Sequence, residues 1–229
     1  MGSSFQKTQA AIDSVGTLVL AAMSQLRPTP PSRTTSSPVA LPSPSVVGSA
    51  SLEETLARRR SVRSFSPRPL GAAGVGQLLW AAQGMTDEDG RRTAPSAGAT
   101  YPLELYALTA DGVFRYQPAD HALQLVRPID ARPELAAAAD GQECVASAPL
   151  ILAITSVAAR TEARYQSRAE GYIRLEAGHA AQNVLLQAVA LGLGAVPVGW
   201  FDKARVGETL EVPPGETPLY LIPVGHPAQ

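Results

Sequence analysis

One cysteine, Cys144, stands in the 229 residues. An intrachain disulfide is excluded, and neither a Cys-x-x-Cys pair nor a zinc-type spacing occurs. Charge of one sign is missing too. Nineteen Lys and Arg face 20 Asp and Glu, leaving a formal net charge of −1, so no global basic field draws nucleic acid. No run of about 18 apolar residues exists, which argues against a membrane-spanning helix. The three histidines, His121, His179 and His226, show no metal spacing, and no G-x-S-x-G elbow marks a serine hydrolase. Cys144, just before an apolar run, reads as a buried inert thiol rather than a nucleophile. The fold must rest on packing, alone or with a cofactor and a partner subunit.

What is present divides the chain in two. Residues 1–50 read as a flexible leader and arm. Lys7 precedes a short apolar stretch at 15–23, expected to be a frayed helix, with a signal-peptide core as the alternative. The protein is accordingly expected in the cytoplasm, or exported if that stretch is a signal. Residues 28–49 are dense in Pro, Ser and Thr and bury too little apolar surface to offset their ordering entropy. One folded domain is expected over 51–229, long enough for a full hydrophobic core.

Ser51 with Glu54 three residues later is a capping box. It predicts a helix to about Arg60, with Leu52 and Leu56 on its inner face. A second helix is expected over 75–83, ended by Gly84, and a polar loop over 86–94. Strands are expected over 103–109, 113–116 and 122–127, the first two joined at Asp111-Gly112. A short helix should cover 133–139. The nearly continuous apolar run 149–157 suits a central strand buried on both faces. Residues 173–191 carry the longest helical period, and 219–224 a last strand. Helices and strands mix without βαβ alternation, so the class is α+β.

Three segments can carry chemistry. Arg58-Arg59-Arg60-Ser61-Val62-Arg63 offers forked, charge-assisted donors to a phosphate dianion; a solvated basic helix end is the bland alternative. Pro95-Ser96-Ala97-Gly98-Ala99-Thr100-Tyr101-Pro102 lets backbone approach a flat ligand, or is simply a tight turn. Residues 191–202 hold Gly192, Gly194, Pro197, Val198 and Gly199. They follow a helix rather than a strand, so they are no dinucleotide fingerprint. They offer a rigid backbone whose free N–H groups can meet a cofactor ring.

These three segments occur in this order in the nitroreductase family of flavoproteins, which the chain resembles over about residues 39–227. The strings SLEETLARRRSVRSFSPRPL, APSAGATYPLELY, AAQNVLLQAVALGLG and PLYLIPVGHP are similar to those of its SagB-type branch. The resemblance implies a nitroreductase-like α+β fold, an antiparallel-type central sheet flanked by helices, in an intertwined homodimer with FMN at the interface. Arg59, Arg60, Ser61 and Arg63 match the motif that holds the phosphate and ribityl chain. Pro95, Ser96, Ala97 and Gly98 match the segment laid on the flavin by the second subunit. Pro197, Val198 and Gly199 match the loop facing the ring edge, with the Gly199 N–H nearest N5, and Gly225 matches a glycine near the phosphate. The long helix, with Ala177, Gly178, Ala180 and Ala181, would be the central dimer helix.

The activity implied is ping-pong hydride transfer from NAD(P)H to a small-molecule acceptor such as a quinone or nitro compound. Two departures, no acidic residue in Val198-Gly199-Trp200 and no Asn in Gly98-Ala99-Thr100, fit the SagB-like branch. There a peptide or small molecule would be oxidised instead, with Tyr101 a conceivable but unassigned base. A non-catalytic flavin-binding protein is the third alternative.

Overall fold

The computed structural model describes residues 37–228; the apolar stretch 15–23 and residues 28–36 of the Pro/Ser-rich arm lie outside them. In chain order the elements are β1 (Val39–Ala40), α1 (Leu52–Arg58), α2 (Ala72–Gln83), β2 (Leu103–Thr109), β3 (Gly112–Gln117), β4 (Ala122–Arg127), α3 (Arg132–Ala138), α4 (Glu143–Ala146), β5 (Leu150–Val157), α5 (Ala159–Tyr165), α6 (Ala169–Ala190), β6 (Gly194–Ala195), α7 (Lys203–Leu210) and β7 (Glu216–Gly225). The strands form one sheet in the order β1-β4-β3-β2-β5-β7-β6. Every neighbouring pair is antiparallel. The fold is the expected α+β class, an antiparallel central sheet flanked by helices.

The period-2 alternation of strands sorts two cores. Leu103, Leu105 and Ala107 of β2, with Leu150, Leu152 and Ile154 of β5, face α2 and α6. Tyr106, Leu108, Ile151 and Ala153 face the other way, toward α3, α4 and α7. β5 is thus buried on both faces, as its apolar run predicts. Along α6, Ile173, Ala177, Ala180, Ala181, Val184, Leu185 and Ala188 are buried, and they pack within this chain. Of the small residues expected at a dimer contact, only Gly178 is exposed.

Four expectations change. Residues upstream of Ser51 join the fold: Val39 and Ala40 pair with Leu123 and Ala122, Leu41 N donates to His121 O, and Gln77 on α2 brackets Ser45 through both main-chain atoms. An extended, proline-bearing arm supplies an edge strand because edge positions tolerate its missing donors. Helix α1 is capped as predicted, with Glu54 N donating to Ser51 Oγ at 3.1 Å, but it ends at Arg58. Its buried residue is Thr55; Leu52 and Leu56 are 62% and 52% exposed. Finally, α4, α5 and α7 were not expected. The Asp202 side chain caps α7 by accepting from Ala204 N and Arg205 N.

Candidate active site

The arginine segment leaves α1 in extended conformation and becomes an extra edge of the sheet. Ser61 bridges Ala195 in parallel, and Phe65 bridges Pro227 antiparallel. Val62 N donates to Ala195 O, Ser66 N to His226 O, and Ala228 N to Ser64 O. The approach is tight enough to require glycine at Gly194, where a Cβ would lie 2.6 Å from Val62 Cβ. Gly225 is buried, and a Cβ there would lie 2.8 Å from Pro149 Cδ and 3.0 Å from Phe65 Cβ. Packing under Phe65 therefore explains Gly225 without any ligand. Arg58 pairs with Glu54 at 2.7 Å, and Arg60 Nη1 donates to the Ala57 and Arg59 carbonyl oxygens. Arg59, Arg60 and Arg63 have no carboxylate partner among the described residues. Three unneutralised guanidiniums within five residues are a standing attraction for an anion. Arg58 and Arg60 line a cavity of about 200 Å³ together with Leu185, Val189 and Ala195.

Beside this edge, residues 196–199 run as a shelf along β7. Val198 is buried and exchanges both main-chain hydrogen bonds with Leu221, at 2.8 and 3.0 Å. Pro197 is half-buried and Gly199 exposed. The Gly199 amide donates to no acceptor among the described residues.

The segment Pro95–Gly98 is held elsewhere. Gly98, Ala99 and Tyr101 all have positive φ, at 59°, 54° and 43°, a conformation that costs about 1–3 kcal/mol for each non-glycine. Multiple ties hold it. Ser96 Oγ accepts from Tyr101 N at 2.9 Å, Thr100 Oγ1 meets Thr161 Oγ1 at 2.9 Å, Arg160 donates to Tyr101 O, and Arg164 donates to Gly98 O. Behind it lies a buried polar group that the sequence reading missed. Arg92 donates to Gln83 Oε1 at 2.9 Å and covers the Tyr101 ring at 4.6 Å. Glu176 is 2% exposed with Oε1 unpartnered. Burial raises its pKa, while Ser96, Arg92 and Gln83 pull it back. A lone Glu on the apolar face of α6 was the available signal.

The family model described as the nitroreductase family matches residues 56–226. This chain belongs to the nitroreductase family. A protein of Methanocaldococcus jannaschii, named as a candidate nitroreductase, is 43% identical over 181 residues, spanning 76% of this chain and 90% of its own. The crystal structure of a candidate nitroreductase from Ralstonia eutropha is similar with TM-score 0.78 and 32% identity, over 89% of this chain and 96% of that one. An NADPH:FMN oxidoreductase of Vibrio harveyi, crystallised with NAD+, shares the fold at TM-score 0.59 and 24% identity, over 78% and 69% of the two chains. The reaction class of this nitroreductase-family chain is oxidoreduction.

Within one chain of this family member the predicted site residues form two groups. Arg59, Arg60, Ser61, Arg63, Pro197, Val198, Gly199 and Gly225 gather at one end of the sheet. Pro95, Ser96, Ala97 and Gly98 do not join them. They sit over Glu176, whereas the arginine cavity reaches Val189. Nine to 13 residues of helix separate Glu176 from the lining residues Leu185 and Val189, about 14–20 Å along the axis. Cys144 is buried and its thiol pKa is raised by burial, with Arg63 opposing, which suits an inert thiol. A larger depression of about 490 Å³ lies between α7 and β7. Its ionic lining is Lys203, Glu208, Glu211 and Glu216, so it lacks cationic convergence. Among the described residues no cluster could hold a metal, and no helix is long and apolar enough to cross a membrane.

Proposed function

We propose that the chain is an FMN-dependent oxidoreductase. It passes hydride equivalents between NAD(P)H and a second small molecule, a quinone or nitro compound, in a ping-pong cycle, and it works as an intertwined homodimer in the cytoplasm. One observation carries this reading. Arg59, Arg60 and Arg63, without carboxylate partners, lie with the Ser61 hydroxyl along one sheet edge beside the shelf 196–199.

That edge fits a phosphate monoester, whose oxygens accept forked guanidinium donors. Arg59, Arg60, Ser61 and Arg63 would hold the phosphate and ribityl chain, near Gly225. Pro197, Val198 and Gly199 would line the ring edge, with the Gly199 amide open to it. The arginine cavity is smaller than the roughly 300–1,000 Å³ of a complete ligand site. A second copy would close it with its own Pro95–Gly98 segment, which in this chain lies about 14–20 Å away along α6. Exposed Leu52, Leu56 and Leu175 suit such a contact. When bound, FMN supplies a ring system that accepts and returns a hydride. The chain's residues would then need only to bind, orient and exclude water. The name of the Vibrio harveyi relative supports the FMN and NADPH assignments.

Gly98-Ala99-Thr100 and Val198-Gly199-Trp200 favour the SagB-type branch as a second reading, with a peptide or small molecule oxidised. The test is the absorbance spectrum of purified protein before and after anaerobic NADPH, with sedimentation for oligomeric state. A yellow dimer bleached by NADPH is expected. A yellow dimer inert to NADPH favours the second reading. A colourless monomer that takes up no FMN ends both.

A further inference from the structure

Trp200 follows the shelf directly and is 75% exposed, yet its ring is not free. Its indole Nε1–H donates to Asp140 Oδ2 at 2.6 Å, and its carbonyl oxygen accepts from Gln142 Nε2 at 2.8 Å. Two further bonds tie the end of α3 to the start of α7: Asp202 N to Ala138 O and Arg205 Nη1 to Ala137 O. The turn that holds Trp200 has left-handed residues at Asp140 and Gly141, φ 55° and 69°. It leads into α4, where Cys144 lies within the electrostatic reach of Arg63. Trp200 stands one residue past the open Gly199 amide. A surface indole with its polar edge satisfied and its ring faces bare is preorganised for stacking, since little rotamer entropy remains to be lost on binding.

We propose that Trp200 is a stacking platform that selects flat, conjugated acceptors at the flavin site, and that Asp140 is its positioning residue. This rests on the FMN reading above. Planar bicyclic quinones gain the ring contact, and compact inorganic oxidants gain nothing from it.

The experiment uses full-length protein with measured FMN content. Menadione binding to the oxidised protein is followed by calorimetry. Reoxidation after NADPH reduction is followed with menadione and with ferricyanide. In Trp200→Ala and Trp200→Leu, menadione affinity falls about five- to tenfold, and so does the menadione-to-ferricyanide ratio of kcat/KM. Trp200→Phe restores most of both. Asp140→Ala, which frees the indole, gives an intermediate loss. The proposal is overturned if Trp200→Leu performs as well as Trp200→Phe, or if neither readout moves by more than about twofold in Trp200→Ala. Wild-type protein that binds no FMN is a different failure, that of the reading beneath it.

Discussion

His121 holds Pro42 across 79 residues of sequence: its Nε2 lies 3.0 Å from the Pro42 carbonyl oxygen. A carbonyl only accepts, so Nε2 carries the hydrogen. In the neutral ring Nδ1 is then the acceptor, and the Tyr116 hydroxyl, 2.8 Å away, is its donor. The imidazole so fixed also packs on Gly76, where a Cβ would lie 3.3 Å from Nε2. The His121 side chain adds to the β1–β4 pairing and the Gln77–Ser45 bonds in fastening the arm to the domain.

His121→Ala removes both bonds and the contact with α2. At about 1 kcal/mol for each hydrogen bond, the melting temperature should fall by roughly 4–8 °C for a domain of this size. A nonspecific protease should cut residues 37–50 faster than in the parent. Unchanged cleavage in that stretch would mean that β1 pairing and the Gln77–Ser45 bonds suffice to fasten the arm.

Arg59→Ala tests the phosphate edge. Losing a charge-assisted contact costs about 1.5–3 kcal/mol, so FMN affinity should fall about ten- to hundredfold in a flavin-release titration. Flavin retention equal to the parent's would remove Arg59 from the site.

Gly194→Ala tests how the edge is held. Its Cβ would sit 2.6 Å from two Val62 carbons, and Val62 stands between Ser61 and Arg63. Overpacking of this kind costs about 1–3 kcal/mol. Both thermal stability and FMN affinity should drop, because relief requires the edge to move outward. Loss of stability alone, with affinity kept, would uncouple the glycine from the site.

Glu176 sets a pH dependence. Its pKa is raised in the folded protein, chiefly by burial, so between the unfolded and folded values the native state binds the extra proton. Stability from this group is complete at low pH and is lost as pH rises through the folded value. Glu176→Gln should therefore melt higher than the parent at pH 8, with the gap closing toward pH 4. A gap that is constant with pH would show that the carboxyl has the same pKa in the folded and unfolded chain.

These tests also mark what could be read from the chain alone. Strand β2 matches its predicted range because Asp111-Gly112 fixes one end and alternation fixes both faces. Helix α7 escaped because only Val206, Thr209 and Leu210 of its eight residues are buried, too few for a visible period, although Asp202 was a readable cap. The arginine run and the Pro95 segment stood out as motifs. Their separation along α6 did not, since distance belongs to tertiary structure. Apolar period also cannot tell a core face from a face left for another chain, and Leu52 with Leu56 is where that confusion falls.

The last prediction follows from that confusion. Gly171, Leu175 and Gly178 fall at i, i+4 and i+7 on α6 and form one exposed stripe, with Leu175 61% exposed. This 22-residue helix fills its inner face with alanines and leaves a leucine between two bare glycines, the face that the proposed dimer would use. Leu175→Glu puts an unpaired charge at the centre of that contact. It makes no buried contact in the single chain, so folding by circular dichroism should be unaffected. Sedimentation should shift from dimer to monomer, and FMN should be lost with the dimer, because the Pro95–Gly98 segment of the second copy leaves with it. A Leu175→Glu protein that stays dimeric and yellow would place the two-chain site on another face.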